Sequence, residues 1–197
     1  MNDLIQEKAT KKDINIIKKQ LNRYPENIMG IAKRCSWNNP VVIVTHPFDE
    51  DKGVFPTTLW LSCPFLVKEI SRLEDRGLIQ ELTAKIKQDQ NFKKRLKKAH
   101  KVYAEKRFNL LKEKIIKKIK KISPDILKVI KSSGVAGIRD KEGIKCLHGH
   151  LADYLVNKIN PVGEIVKDKL PSLSSCDIKC DFDLEEGSKG KNEIGRY

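Results

Sequence analysis

No stretch of the 197 residues approaches the run of about 18 apolar residues that marks a membrane span. The opening Met1-Asn2-Asp3-Leu4-Ile5-Gln6-Glu7 has neither the basic start nor the apolar run of a signal peptide. A soluble, cytoplasmic protein with no membrane partner is expected. Aromatic residues are only 6%, and no RRM, KH or zinc-finger signature is present. The glycine-punctuated segment 134–143 lacks the strand–GxxxxGK[ST]–helix order of a nucleotide P-loop, so a tight hairpin is its simplest reading. Five cysteines are an odd number and too sparse for a secreted disulfide scaffold.

What the chain does have is charge. Charged residues are 34%, above the usual ~25%, and the net charge is +14. Hydrophobic residues at 39% suffice for a core and exclude wholesale disorder. The length suits one domain, read as residues 1–170, with a disordered tail at 171–197 rich in Ser, Lys, Gly, Asp and Glu.

Thr10-Lys11-Lys12-Asp13 reads as a capping box, followed by Ile14, Ile17 and Leu21 on one helical face. Segment 25–34 reads as a link through Gly30. Val41-Val42-Ile43-Val44 is a buried strand, residues 57–62 a second strand, and the two are placed to pair. Pro64 fits the first position of a helix with Cys63 at its N-cap. Residues 89–122 read as one long basic helix, with a small drift of its apolar stripe between Tyr103 and Phe108. A short helix after Asp125 precedes the glycine segment. Cys146-Leu147-His148-Gly149-His150 leads into a helix closed by Asn160-Pro161-Val162-Gly163. The expected fold is a helix-rich α+β domain with a small hairpin or short sheet and a protruding basic helix.

Several of these stretches together resemble a bacterial family known only as domain of unknown function 501. They are Lys19-Gln20-Leu21-Asn22-Arg23, Ile31-Ala32-Lys33-Arg34-Cys35, Phe55-Pro56-Thr57-Thr58-Leu59-Trp60-Leu61-Ser62-Cys63-Pro64 and Ile70-Ser71-Arg72-Leu73-Glu74. Gly134-Val135-Ala136-Gly137, Gly143-Ile144-Lys145-Cys146-Leu147-His148 and Asn160-Pro161-Val162-Gly163 complete the set, over residues 10–167. The resemblance implies no activity. It places Cys35, Cys63, Cys146 and His148 inside the signature segments and leaves Cys176 and Cys180 outside. One departure is Trp37-Asn38-Asn39-Pro40, where the family usually has a glycine before the proline.

Cys63 and Cys146 each precede a helix, whose unpaired N–H groups and partial positive charge favour thiolate. Arg34 and Lys145 stand beside Cys35 and Cys146. If the fold joins these segments, Cys35, Cys63, Cys146 and His148 form a four-ligand centre for zinc or an iron–sulfur cluster. A reactive thiol without metal and three separate core cysteines are the other readings. His148 and His150, two apart, point to different faces, so one of them at most joins the site. His46 reads as a loop residue and His100 as an exposed or half-buried packing residue.

Between residues 81 and 121 sixteen Lys and Arg face four Asp and Glu, so the rest of the chain carries only about +2. Lys93, Lys94, Arg95, Lys97, Lys98 and Lys101, with Arg139 and Lys145 near the glycine segment, are the expected contacts to RNA or another polyanion. The sequence therefore points to a cysteine-ligated metal or iron–sulfur protein with a polyanion-facing surface. The other reading is a non-catalytic binding module with structural cysteines.

Overall fold

In the computed structural model, which describes residues 3–171, Thr10 caps the first helix, α1 (Lys11–Leu21), as its spacing predicts. The Thr10 hydroxyl accepts from the Asp13 N–H at 3.2 Å, and Asp13 Oδ2 accepts from the Thr10 N–H at 2.8 Å. The helix turns Asp13, Ile16 and Ile17 inward, leaving Ile14 and Leu21 only half-buried. Arg34 makes this tolerable by donating to both Asp13 oxygens, at 2.7 and 3.0 Å. Burial alone would raise the Asp13 pKa; hydrogen bonds from Arg34 and Thr10 outweigh it and hold the pKa down at about 2.

Arg34 ends a strand the sequence reading took for a link, β1 (Ile28–Arg34). Its polar ends and three register shifts obscure the alternation that normally reveals a strand. β1 pairs antiparallel with β2 (Pro40–Thr45), and β2 pairs antiparallel with β5 (Leu59–Leu61), as expected for the last two. Two two-residue strands, β3 (Phe48–Asp49) and β4 (Gly53–Val54), form a separate small hairpin between them. Period-2 alternation divides the three-stranded sheet. Val42, Val44, Leu59 and Leu61 face the main core, while Ile31, Ile43 and Trp60 align in register as one row on the other face.

Seven further helices complete the described residues. α2 (Pro64–Asp75) begins with Pro64 at its first position and Cys63 at the N-cap. Gly77, at φ 85, turns the chain into α3 (Leu78–Gln88), which the sequence reading passed over. The expected single helix over 89–122 is two: α4 (Gln90–Phe108), capped by Asp89, and α5 (Glu113–Ile122). The break lies where the stripe drifts. Leu110 enters the main core and adjacent Leu111 a second one, so the link between the two helices is buried on both sides.

α6 (Pro124–Ser132) leads to a single 3₁₀ turn, Val135–Gly137, in place of a tight hairpin. α7 (Leu147–Asn157) packs on β5, and α8 (Pro161–Lys169) packs on α7. Asn160 thus closes nothing; its side chain accepts from Val162 and Gly163 N–H, both at 3.1 Å, and starts α8. Gly163 is required there, because a Cβ would lie 2.2 Å from the His150 carbonyl oxygen.

α2, α3, α4, α7 and α8 share the main core with the sheet. The second core is smaller: Phe48, Leu111, Ile119, Leu127 and Ile130 join α5, α6 and the β3–β4 hairpin. Arg107, with no exposure, ties the two together. It donates to the Ile130 and Ser133 carbonyls at the end of α6 and to the Pro56 carbonyl ahead of β5. The proposed tail lies outside the described residues apart from Pro171.

Candidate polyanion interface and the placement of the cysteines

α4 carries its lysines on two faces with different fates. Lys93 and Lys97 both reach Glu142, at 2.7 and 2.6 Å, and Arg95 reaches Glu164 at 2.5 Å. Those three cations share two carboxylates and keep one net positive charge between them. Lys94, Lys98 and Lys101 are exposed at i, i+4 and i+7, with only Glu105 near Lys101 at 3.9 Å. Arg139 and Lys145 are also exposed.

α5 extends the positive surface beyond the residues singled out from sequence. Its Ile115, Ile116 and Ile119 pack into the second core, which drives every lysine outward. Lys117 pairs with Glu113 and Lys118 with Glu50 of the β3–β4 hairpin. Lys112, Lys114, Lys120 and Lys121 make no ion pair among the described residues and are all exposed.

Cys35, Cys63 and Cys146 all pack on the main core. Cys63 is buried in it, while Cys35 and Cys146 are half-buried against it. Among the described residues no group of three or more His, Cys, Asp or Glu is placed to hold a metal ion, so Cys35, Cys63, Cys146 and His148 are not brought into one ligand set. Cys35 instead shapes the β1–β2 turn. Its N–H donates to the Asn39 carbonyl, its carbonyl accepts from Asn38, and Asn38 takes the left-handed conformation at φ 63.

Cys146 also departs from expectation. Burial pushes its thiol above the ordinary value, and the Glu74 carboxylate adds to the rise; N–H groups of Gly149 and His148 oppose this without reversing it. The helix start meant to favour thiolate is already served by Glu74, whose Oε1 accepts from the Leu147 N–H at 2.6 Å. His148 lies 3.3 Å from the same oxygen through Nδ1 and 3.2 Å from the Val67 carbonyl through Nε2.

The polar group that sequence reasoning missed is internal. His100 and His150 are both wholly buried, and His150 does turn to a different face from half-buried His148. His100 Nδ1 accepts from the Val135 N–H at 3.1 Å, so its proton sits on Nε2. His150 Nδ1 faces Asn160 Oδ1 at 3.1 Å, an oxygen already accepting from two backbone N–H groups, so His150 carries its proton on Nδ1. Asn160 and Asn157 donate to the two oxygens of Asp153, at 2.8 and 2.7 Å, and Lys106 donates to Asn157 at 2.6 Å. Burial pulls His100 down to about 4 and His150 to about 3, and it pushes Asp153 up to about 6. The one signal in the sequence was Asn160-Pro161, a helix-start pair; the His100–His150 and Lys106–Asn157 contacts join helices some fifty residues apart.

Among the described residues no helix is long and apolar enough to cross a membrane. No curated protein and no solved structure matches the chain significantly. A family model does match, over residues 31–168, and it spans the sheet, the cysteine-bearing helix starts and the buried histidine network alike. The chain belongs to the family described as protein of unknown function DUF501.

Proposed function

We propose that this protein is a non-catalytic module that binds RNA or a similar polyanion through α4 and α5, and that its cysteines are structural. The observation that carries this reading is the set of exposed lysines without acidic partners among the described residues: Lys112, Lys114, Lys120 and Lys121 on α5 and its N-cap, and Lys94 and Lys98 on α4. Cations held against carboxylates release few counterions to a ligand; unpaired ones release one for each phosphate neutralised. Structural cysteines fit the packing of Cys35, Cys63 and Cys146 on one apolar core.

The test is the salt dependence of binding to a labelled single-stranded RNA. Lys→Gln changes at positions 112, 114, 120 and 121 should lower the log–log salt slope by about 3, at roughly 0.7 per phosphate contact. Lys→Gln at 93 and 97 together should change it by no more than about 0.7, since the two lysines share Glu142 and leave one net charge. A slope unaltered by the first set would remove the reading.

A further inference from the structure

A cavity of about 450 Å³ opens where the Ile31–Ile43–Trp60 row runs out from under α1. Its wall is aromatic on a chain poor in aromatics: Tyr24, Phe55 and Trp60 all line it, and Tyr24 is 65% exposed. Trp60 is held in place, its indole N–H donating to the Thr57 carbonyl at 2.7 Å. The Arg23 guanidinium lies over the Trp60 ring, 4.6 Å from its centroid. That face therefore already accepts a flat, delocalised group. Cavities of this size take small-molecule ligands, and fixed aromatic rings beside cations are how single strands are held without sequence preference.

The cavity is also joined to the positive surface. Lys52, which lines it, belongs to the same short hairpin whose Glu50 is bound by Lys118 of α5. Lys52 pairs with Glu26 at the rim, both half-exposed, so its charge is partly spent. Arg23 has no carboxylate partner among the described residues, and its guanidinium is committed only to the indole face.

We infer that this cavity receives one base of a single-stranded nucleic acid whose phosphates run along α5. The base stacks on Trp60 in the place of Arg23, and Arg23 turns to the adjoining phosphate. This rests on the polyanion reading and adds to it a requirement for bases, which phosphates alone do not meet.

The experiment uses the full chain carrying Trp37→Phe, so that Trp60 is the only tryptophan, and compares a short oligouridylate with inorganic polyphosphate. The oligonucleotide should quench Trp60 emission on binding, whereas polyphosphate should bind without quenching. Tyr24→Ala, at an exposed position, and Trp60→Leu should each weaken the oligonucleotide several-fold to about 100-fold, the range for loss of one stacked base. Both should leave polyphosphate affinity unchanged. Equal binding of both ligands without quenching, untouched by either substitution, would overturn the base site while leaving the polyanion surface intact. Absence of binding to either ligand would overturn both.

Discussion

The rings of His100 and His150 meet edge to face, their centroids 5.6 Å apart, and the Nε2 atom of each is buried without a hydrogen-bond partner among the described residues. Both rings are neutral in the fold. The unfolded chain takes up two protons near pH 6.5 that the folded chain refuses until pH falls to about 4 and then 3. Their contribution is complete above 6.5 and lost on acidification through that window. Asp153 acts in the opposite sense: its pKa is raised to about 6 from 3.8, so its contribution is complete below 3.8 and gone once pH rises past 6. Between pH 6 and 4 two histidines outweigh one aspartate. Unfolding free energy should therefore fall by roughly 1.4 kcal/mol per pH unit on acidification, as urea titrations at several pH values would measure. In His150→Asn the slope should nearly vanish; an unchanged slope would exclude the pair as its source.

Asn160→Ala removes the acceptor for Val162, Gly163 and His150 together with the donor to Asp153. Loss of a cap and the orphaning of buried groups should cost about 2–4 kcal/mol in equilibrium unfolding. Asn160→Asp keeps the cap but sets a second carboxylate against Asp153. Relative to the wild type it should lose more stability at pH 7 than at pH 5, and the reverse order would contradict the assigned network.

Arg107 has no carboxylate partner among the described residues; carbonyl oxygens and the face of the Tyr103 ring receive its charge. Arg107→Met should cost at least about 3 kcal/mol, because several buried acceptors lose a charged donor. Arg107→Lys should recover only a part, since an ammonium cannot span carbonyls that a planar fork reaches in two directions. Melting curves of the three proteins decide it, and full recovery by lysine would refute the role of the fork.

Cys146 should be slow to alkylate at neutral pH, its rate still climbing above pH 9, because burial disfavours the thiolate. Mass spectrometry after timed iodoacetamide exposure would follow the residue directly. A plateau near pH 7 would indicate the activated thiol that its place at a helix start first suggested.

Signals confined to one segment were legible in the sequence. Pro64 at a first helical position, four β-branched or aliphatic residues at 41–44 and the Thr10–Asp13 box all stand in the fold as read. Where a residue's role depends on a distant partner, the local signal misleads. Asp13 is charged and reads as surface until Arg34 arrives, 21 residues on, to permit its burial. Asn160-Pro161 serves equally as an end and a beginning, and only α8 packing on α7 decides. Helix-start cysteines look alike in sequence, yet the thiol's environment depends on Glu74, contributed from 72 residues away. The lysines were counted correctly, but which remain unpaired was set by Glu142 and Glu164 on other elements.

Among the described residues the second core holds α5 and α6 with five buried side chains, against twenty-five in the main one. With so small a core of its own, α5 should open below the threshold for global unfolding, its amides exchanging with solvent sooner than those of α4 or α7 in a hydrogen-exchange measurement. A ligand seated on α5 then has to hold that helix in place, and part of its binding energy goes into doing so. It follows that affinity can be tuned from inside: a change that tightens packing around Ile119 should strengthen the grip of the lysines without altering a single charge.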